Sequence, residues 1–372
     1  MRRRFLCLPV FLFFASAVLA DQVTLKNGDR LTGQITVGDG KTLLLKAEFV
    51  GDVTIPWDAI TAIASSDILH LTLKDGRRLS GKITTEDGKF VVAGAPEATP
   101  PAAKDTIVAV RNDAEQRAFD VAAEKLAHPK FIYFWGGVFD TGLALTRGNS
   151  STASYTLSAK AIRETARDKL TFYSTYVYAS DNTVTPSRTT ANAIRAGVRG
   201  DLNISRRVFV FAFADYETNE LQNLDLRQVY GGGFGYHIIK TDRNIFDAFG
   251  GFSYDRDVFS SYFITNPTPP PPLTFVPAIT QNSAEAVVGE EFDSHLSKRS
   301  TFTERFSLFP NLSHTGEYRF QFDSTLAMQL KDWLNWQVTF SDRYISYPPP
   351  GLKGNDLLLS TGLRVIWGKP KL

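Results

Sequence analysis

The stretch Asp356–Trp367 reads Asp-Leu-Leu-Leu-Ser-Thr-Gly-Leu-Arg-Val-Ile-Trp. In an extended strand, successive side chains point to opposite faces. One face would carry mainly apolar residues, and the other would carry Gly362 and Arg364. A face suited to hydrocarbon opposite a face suited to a polar interior is typical of a transmembrane β-barrel strand. A half-buried strand of a soluble sandwich has the same period and is the alternative. The apolar face comprises Leu357, Leu359, Thr361, Leu363, Val365 and Trp367.

The two-residue period continues through residues 131–372. We predict an all-β, antiparallel transmembrane barrel of about twelve strands there, because segments of about ten alternating residues suit tilted spans. The strands begin near Phe131, Ser154, Lys169, Thr190, Val208, Arg227, Ile245, Asn282, Thr301, Glu317, Leu334 and Asp356. In the fifth strand both faces are apolar, so its register stays open. The competing sets are Phe209, Phe211 and Phe213 against Val210, Ala212, Ala214 and Tyr216.

Aromatic residues are sorted along these strands. Amphipathic rings favour the headgroup level, so sorting predicts two girdles at two membrane interfaces. A soluble sandwich gives no physical reason for this sorting of aromatic residues along the strands. The tryptophans near one end are Trp135, Trp333, Trp336 and Trp367, and the tyrosines near the other are Tyr155, Tyr178, Tyr216, Tyr230, Tyr254, Tyr318 and Tyr344.

Residues 1–20 read as a secretory signal peptide, with Arg2–Arg4 before an apolar run and Ala20 at the cleavage site. The sole cysteine, Cys7, lies in this segment, so the mature chain would form no disulfide. Cleavage would take the formal net charge from +2 to −1, which argues against a nucleic-acid partner. No later run is long and apolar enough for a membrane helix, so insertion requires a closed barrel.

Residues 21–111 contain an internal repeat, with copies at about 21–66 and 67–111. Leu25–Gly33 recurs as Leu73–Gly81 at a constant offset. Asn-Gly and Asp-Gly between alternating apolar residues predict hairpin turns in which both central positions have positive φ. Each copy is therefore a small antiparallel unit, and the pair resembles a tandem of Sm-like small β-barrels. Such a periplasmic module would dock on cell wall or on a partner protein, or would be a packing duplication without a ligand.

A helical connector is predicted at residues 112–130. Asn112 and Glu115 form a capping box that opens a helix running to about Ala127, and Pro129 ends it. Five apolar residues share one face, which we expect to lie against the small domain or the barrel mouth. They are Ala114, Ala118, Val121, Ala122 and Leu126.

Two resemblances support the barrel. Thr361, Gly362, Val365 and Trp367 resemble the terminal assembly signal of bacterial outer-membrane proteins, which implies the outer-membrane assembly machinery as a partner. The stretches Gly232–Arg243, Glu304–Ser313, Trp336–Tyr344 and Asn355–Leu357 resemble the YdiY-like salt-induced outer-membrane proteins, the domain of unknown function 481. This resemblance covers roughly Trp135–Trp367, excludes the repeat, and implies an outer-membrane barrel without known catalytic residues.

The predicted inward faces carry a set of charged residues. They would form a network of paired charges that fills the lumen, or line a narrow pore in which an arginine excess favours anions. The set is Asp140, Lys160, Arg195, Arg199, Asp247, Arg319, Asp323, Arg343 and Arg364.

An enzyme is the third alternative, because some outer-membrane barrels are lipid hydrolases with a Ser-His pair. The barrel histidines are His237, His295 and His314, and no G-x-S-x-G motif precedes a helix. Their spacing also supports no metal site. We therefore predict a non-enzymatic envelope protein without cofactor or metal, embedded in outer-membrane lipid.

The connections alternate between short and long. Short turns are expected in the periplasm and long loops outside. An even strand count then puts both termini and the repeat domain in the periplasm. The longest connection, 255–281, carries Pro267, Pro269–Pro272 and Pro277, which predict an extended loop that forms no strand.

Overall fold

The structure is a computed structural model that describes residues 20–93, 100–146, 152–181, 186–265 and 273–368. The predicted signal peptide and the proline cluster at 267–272 lie outside these residues, apart from Ala20. The chain divides between His128 and Pro129 into two compact units. Over the described residues, no helix has both the length and the apolar character needed to cross a membrane.

In the N-terminal unit each copy of the repeat forms five strands, and the fifth pairs with the first of its own copy. The strand β10 also pairs with β2, so the two copies share one sheet. The strands are β1 (Asp21–Leu25), β2 (Arg30–Gly38), β3 (Thr42–Ala47), β4 (Gly51–Pro56), β5 (Ile60–Ala64), β6 (Leu69–Leu73), β7 (Arg78–Glu86), β8 (Lys89–Ala93), β9 (Ala102–Ala103) and β10 (Ile107–Asn112).

The predicted turns lie where the sequence placed them, with one correction. Only Asp87-Gly88 has positive φ at both positions, 49° and 73°. At Asn27-Gly28 and Asp75-Gly76 only the glycine is left-handed, with φ of 89° and 84°. In both of those turns the glycine N–H donates to a carbonyl three residues earlier, which needs one left-handed residue rather than two.

Both copies contribute to a single hydrophobic core that includes Ile35, Leu45, Ile83 and Phe90. The carboxylate of Asp21, the residue that predicted cleavage would make the first, is also buried here. It accepts hydrogen bonds from the backbone N–H groups of Ile35 and Ser66, each at 2.8 Å. Asp21 therefore ties the start of the domain to the second strand and to the end of the first copy of the repeat.

We expect Asp21→Ala to lower the free energy of unfolding of the N-terminal unit by about 2–4 kcal/mol, because it leaves two buried N–H groups without their charged acceptor. Hydrogen exchange across Arg30–Gly38 in the full chain measures the change. Asp75→Ala, at a half-exposed side chain, is the control and should change stability by less than about 1 kcal/mol. If the backbone amides of Arg30–Gly38 exchange as slowly in Asp21→Ala as in the wild type, Asp21 does not stabilise the domain in this way.

The helix α1 (Asp113–Ala127) confirms the predicted connector, and its capping residue Asn112 accepts from the Glu115 N–H at 2.9 Å. The predicted packing face is wrong. Val121 and Leu126 are 55% and 71% exposed. The helix contacts its domain through Gln116, which is buried, and through Phe119, whose ring lies 4.0 Å from the Arg111 guanidinium.

The second unit is a closed antiparallel barrel of twelve strands, which confirms the predicted fold class. Every strand pairs with its neighbour in the chain, and the first pairs with the last from Gly136–Gly368 to Gly142–Gly362. The strands are β11 (Trp135–Thr146), β12 (Thr152–Glu164), β13 (Asp168–Asp181), β14 (Arg188–Asn203), β15 (Val208–Asn219), β16 (Leu224–Lys240), β17 (Asn244–Phe259), β20 (Ile279–His295), β21 (Ser300–Pro310), β22 (Tyr318–Lys331), β23 (Leu334–Ile345) and β24 (Asn355–Gly368).

The barrel has two distinct rims. At the short-turn rim, connections such as 204–207 and 296–299 join successive strands, and at the long-loop rim the connections are longer except for 220–223, which also has four residues. The longest of them corrects the expectation that no strand would form there. Tyr262–Thr265 (β18) pairs with Leu273–Val276 (β19), since these flanks are aromatic and β-branched and the prolines are concentrated between them.

Candidate functional site

The interior of the barrel receives the inward-facing charges, and two of the predicted residues meet where the barrel closes. Arg364 on β24 forms a bidentate pair with Asp140 on β11, at 2.8 and 2.9 Å. The two residues are direct register partners between the last and first strands. Parallel guanidinium–carboxylate hydrogen bonds are strong and geometrically specific, so this pair fixes the register of closure.

A second bidentate pair joins neighbouring strands near the long-loop rim. Arg343 donates to both oxygens of Asp323 at 2.7 Å, and Ser341 donates to the same carboxylate at 2.7 Å. The predicted residues Asp323 and Arg343 are therefore brought together, as are Asp140 and Arg364. The remaining predicted residues pair with carboxylates or a histidine outside the predicted set, or lack an ion-pair partner.

A longer network of ion pairs lies inside the barrel. Arg195 pairs with Glu217 at 2.7 Å, and Arg319 pairs with Glu285 at 2.7 Å and with Asp255 at 3.3 Å. Between them, Arg227 lies 3.7 Å from both Glu217 and Asp255 and pairs closely with Asp257. The Arg319 contacts pass over intervening strands, because neither β20 nor β17 is adjacent to β22, whereas the other pairs join adjacent strands. We call the set Arg195, Glu217, Arg227, Asp255, Asp257, Glu285 and Arg319 the transverse network.

A cluster of aromatic rings fills the interior beside this network and resolves the register left open by the sequence. Phe209 and Phe211 are 2% and 5% exposed and point inward, while Tyr216 points outward. Phe249, Val287 and Phe309 complete the cluster. Gly231 and Gly235 lie beneath Phe213 and Phe209, where a Cβ atom would come within 2.5 and 2.0 Å of the rings. Glycines on β16 thus make room for the phenylalanines of β15.

Nearer the short-turn rim, Arg199 connects the aromatic cluster to the charges. Its guanidinium pairs with Asp201 at 2.8 Å and with Glu291 at 2.9 Å, and lies 4.7 Å from the centres of both Phe211 and Phe249. Arg305 reaches the same Glu291 at 2.9 Å. Glu291 therefore holds two cations from different strands.

His237 is the barrel histidine with an acidic partner. One ring nitrogen lies 2.7 Å from Asp247, and the other lies 3.0 Å from the amide oxygen of Asn203 and 3.2 Å from the Lys240 ammonium. Among the described residues, no hydroxyl group makes a hydrogen bond with His237, and no group of three or more possible metal ligands occurs.

An elongated cavity of about 790 Å³ runs along the other side of the interior. The aromatic cluster forms one wall, and β11–β14, β21–β24 and charged residues of β15, β16 and β20 form the rest. At the long-loop rim the cavity reaches Gln222 and Asp356, and at the other end it reaches Lys169 and Asp293, within three residues of their strand ends. The aromatic cluster therefore fills one side of the lumen, and the cavity stays open beside it over nearly the whole height of the barrel.

Positively and negatively charged side chains are balanced along this cavity. The arginine excess from which the sequence analysis expected an anion preference is therefore not present. Each lining arginine has a carboxylate within 4 Å, supplied largely by residues that the sequence analysis did not select. Lys160 and Lys169 also line the cavity, and neither has a carboxylate oxygen within 4 Å among the described residues. Together with Lys353, which lines the cavity at the long-loop rim and also has no ion pair among the described residues, they are the lining cations that remain outside the ion pairs.

The long-loop rim is narrowed by two contacts. Gln222, in the connection after β15, donates to Asp356 on β24 at 2.6 Å. Tyr262 on β18 donates to the carbonyl of Pro350 at 2.7 Å. Each contact joins a connection at this rim to a part of the chain that is distant in strand order, so these connections fold inward over the cavity.

The predicted girdle residues occupy the outer surface at the two rims. Trp333, Trp336 and Trp367 are 38–52% exposed at the short-turn rim, and Trp135 stacks there on Phe172. The tyrosines lie near the long-loop rim as neighbours on adjacent strands, in the pairs Tyr155–Tyr178, Tyr216–Tyr230 and Tyr318–Tyr344. Tyr254 there donates to Asn282 at 2.9 Å.

The predicted assembly-signal residues lie at the closure of the barrel. Val365 and Trp367 point outward, and Thr361 donates to the carbonyl of Gln337 at 3.1 Å. A Cβ atom on Gly362 would lie 1.7 Å from the Thr141 carbonyl oxygen. The glycine is therefore required by the close approach of the first strand.

Comparison with known proteins identifies a protein family that matches the barrel. The model of the family described as "Protein of unknown function, DUF481" matches residues 139–367, which confirms the resemblance drawn from the barrel segments. No curated protein gives a significant match.

Several solved structures are similar at low identity. The translocator domain of the autotransporter NalP from Neisseria meningitidis is 10% identical, covers 69% of this chain and 95% of its own, and has a TM-score of 0.36. The NanC porin is 10% identical, with 63% and 99% covered and a TM-score of 0.33. The β domain of the Bordetella autotransporter BrkA is 9% identical, with 63% and 98% covered and a TM-score of 0.33.

Proposed function

The chain belongs to the DUF481 family of proteins of unknown function, and we propose that its barrel is a narrow, hydrophilic passage for small polar solutes across the bacterial outer membrane. The observation that carries the proposal is the cavity of about 790 Å³ that extends from the long-loop rim to the last residues of the strands at the short-turn rim. A purely structural barrel would not need one half of its lumen open.

The packed half of the lumen fits the same role. The transverse network and the aromatic cluster occupy the side around β15–β21, with Arg195 and Arg319 reaching in from β14 and β22, and leave a passage bounded by fixed ion pairs. Rings of paired charges can conduct small solutes without strong preference for either sign. We therefore expect weak selectivity rather than the anion preference that an arginine excess would give.

Conductance of the purified full chain in planar bilayers tests the proposal. We expect small, steady current steps and a reversal potential close to zero in a salt gradient. If repeated insertions give no steps, the barrel is a closed structural protein, which is the second candidate because the transverse network and the aromatic cluster fill part of the lumen.

The lysines provide a sharper prediction. We expect Lys160→Gln together with Lys169→Gln to shift the reversal potential toward cation preference, because these two cations line the passage outside the ion pairs. Lys331→Gln, at the exposed end of β22 and away from the cavity, should leave the reversal potential unchanged. Equal behaviour of the two variants would contradict a current path along this cavity.

No chemical reaction is part of the proposal. His237, whose partners are Asp247 and Asn203, has no assigned role in the passage. The apolar outer surface, with exposed Leu357, Leu359 and Leu363, supports outer-membrane lipid as the surroundings, and Gly362 and Trp367 support insertion by the outer-membrane assembly machinery.

The orientation follows from the connections, and the N-terminal domain is proposed to face the periplasm. Outer-membrane barrels have short periplasmic turns and longer outside loops. A tag inserted after Thr315, in an exposed connection at the long-loop rim, should bind antibody on intact cells. A tag after Val50, an exposed residue of the N-terminal domain, should bind only after permeabilisation. The reverse labelling pattern would contradict this topology. It would also contradict the proposal that this domain docks on cell wall or on a periplasmic protein.

A further inference from the structure

The short turns of the barrel carry an excess of basic residues. They hold six arginines and lysines and two aspartates, all of them exposed. At the long-loop rim, the charged residues of the described connections, apart from His314, are Glu220, Glu317 and Lys353. The two rims therefore differ in the sign of their charge. The short turns are 165–167, 204–207, 241–243, 296–299 and 332–333.

Three of these turns are neighbours on the rim, because β14, β15, β16, β17, β20 and β21 follow one another around the barrel. Together with Lys240 at the end of β16, the three turns present six basic residues and one carboxylate, Asp242. Over the part of the chain that the structure describes, no carboxylate oxygen lies within 4 Å of these six basic groups. We call the six residues the basic arc: Arg206, Arg207, Lys240, Arg243, Lys298 and Arg299.

Hydrogen bonds fix two members of the basic arc on the rim. Arg207 donates to the phenol oxygen of Tyr236 at 3.2 Å, and Tyr236 is 43% exposed on the outer surface. Arg243 donates to the carbonyls of His295 and Leu296 at 3.2 and 3.3 Å. The second contact joins neighbouring turns, so the basic arc is continuous, and the first places a guanidinium beside an outward aromatic ring.

The basic arc borders an apolar outer surface on a side of the barrel without tryptophan. Leu202 and Ile238, near the ends of β14 and β16, are 42% and 51% exposed, and Ile204 and Leu296, in the turns themselves, are 62% and 49% exposed. The tryptophans of this rim all lie on or beside β11, β23 and β24. A long basic side chain also anchors an interface, with its apolar stem along the wall and its charge at the headgroups. The basic arc therefore occupies the part of the interface where the girdle has no tryptophan.

We propose that the basic arc binds the phosphate groups of anionic phospholipids of the phosphatidylglycerol class, in the membrane leaflet at the short-turn rim. The strand ends of a membrane barrel meet the headgroup layer, so the basic arc lies at the level of the lipid phosphates. Six cations beside one carboxylate match an anionic surface, and guanidinium groups match phosphate oxygens in geometry as well as in charge. The proposal holds whether or not the barrel conducts.

Quenching by brominated lipid measures this binding on the full chain. Cys7 lies in the predicted signal peptide, so Leu202→Cys supplies a unique labelling site in the mature chain. Leu202 lies four residues before Arg206, so their Cα atoms are at most about 14 Å apart. In phosphatidylcholine vesicles at about 0.01 M salt, a fluorophore there should be quenched at least about twofold more by brominated phosphatidylglycerol than by an equal amount of brominated phosphatidylcholine. At about 1 M salt, where the screening length falls to about 3 Å, the difference should disappear.

Two double variants with the same change in charge locate the effect. Arg206→Gln with Arg207→Gln removes two cations of the basic arc and should lower the ratio of the two quenching values toward one. Arg188→Gln with Lys353→Gln removes two exposed cations at the long-loop rim and should leave the ratio unchanged. Arg188 begins the strand that carries Leu202, roughly 45 Å from the fluorophore. Heat-modifiable mobility verifies that each variant contains a folded barrel.

A selective loss of the ratio in the basic-arc variant, together with its loss at high salt, supports the proposal. A ratio near one with all six basic residues present at low salt contradicts it, and is the result expected if the basic arc is only solvated or faces an acidic protein. An equal fall in both double variants also contradicts it, because the net charge of the barrel would then attract the lipid. A basic-arc variant that keeps the full ratio, or a ratio that persists at about 1 M salt, would show that these cations do not bind the lipid.

Discussion

Gly362→Ala is expected to prevent closure of the barrel. The added Cβ atom would lie 1.7 Å from the Thr141 carbonyl oxygen and 2.6 Å from its carbon. These are backbone atoms of the first strand in the pairing that closes the sheet, so no side-chain rotation relieves the overlap. We expect a loss of more than about 4 kcal/mol, since the strands must separate or shift register.

Gly142→Ala is the matched control because Gly142 is the direct register partner of Gly362. A Cβ atom on Gly142 meets its nearest neighbours at 3.4–3.6 Å, which is ordinary van der Waals contact. Heat-modifiable mobility on gels and the yield of membrane-inserted protein measure both variants. Wild-type yield of folded Gly362→Ala would show that the first and last strands do not approach as closely as this pairing requires.

The strands and the inward positions of the charges could be predicted from the sequence because a two-residue period assigns each side chain to one face. Alternation alone placed Asp140 and Arg364 inside the barrel. Their contact then follows from the closure of twelve strands, in which the first and last become neighbours. The same reasoning failed for the fifth strand, since Phe209–Phe213 alternate with residues that are also apolar.

The transverse network could not be read from the sequence. Arg319 meets Asp255 and Glu285 from strands that are not its neighbours, and such contacts depend on the diameter and shear of the barrel. The alternation of side chains does identify some further members of this network. Glu217 and Arg227 occupy inward positions of adjacent strands, so the alternation that selected Arg195 also selects them.

The helix α1 shows a different limit. Its capping residue and its end were predictable from local chemistry. Its buried face was not, because Gln116 and the polar contacts of Asp113 and Asp120 hold it to the domain in place of Val121 and Leu126. A periodic apolar stripe predicts that a helix has an apolar side, and the contacts available in the folded domain decide which side packs.

Arg319→Ala is expected to destabilise the barrel by about 3–5 kcal/mol, because it leaves buried carboxylates without their cation. Arg319 donates to both oxygens of Glu285 at 2.7 and 2.8 Å, and its guanidinium lies 3.9 Å from the centre of the Phe309 ring. Its side chain is 7% exposed, and that of Glu285 is 5% exposed. Reversible unfolding of the barrel in urea with lipid vesicles measures the loss.

Two further variants separate this charge effect from general damage. Arg299→Ala removes an exposed arginine at a short turn and should change stability by less than about 0.5 kcal/mol. Arg319→Ala combined with Glu285→Ala should lose less stability than the sum of the losses of the two single variants, because neither substitution then leaves the other charge buried alone.

Arg319 also lines the cavity, so its truncation should raise the conductance of the passage while lowering the stability of the wall. Additive losses in the double variant, or a single variant as stable as the wild type, would show that the transverse network does not hold the strands on which the proposed passage depends.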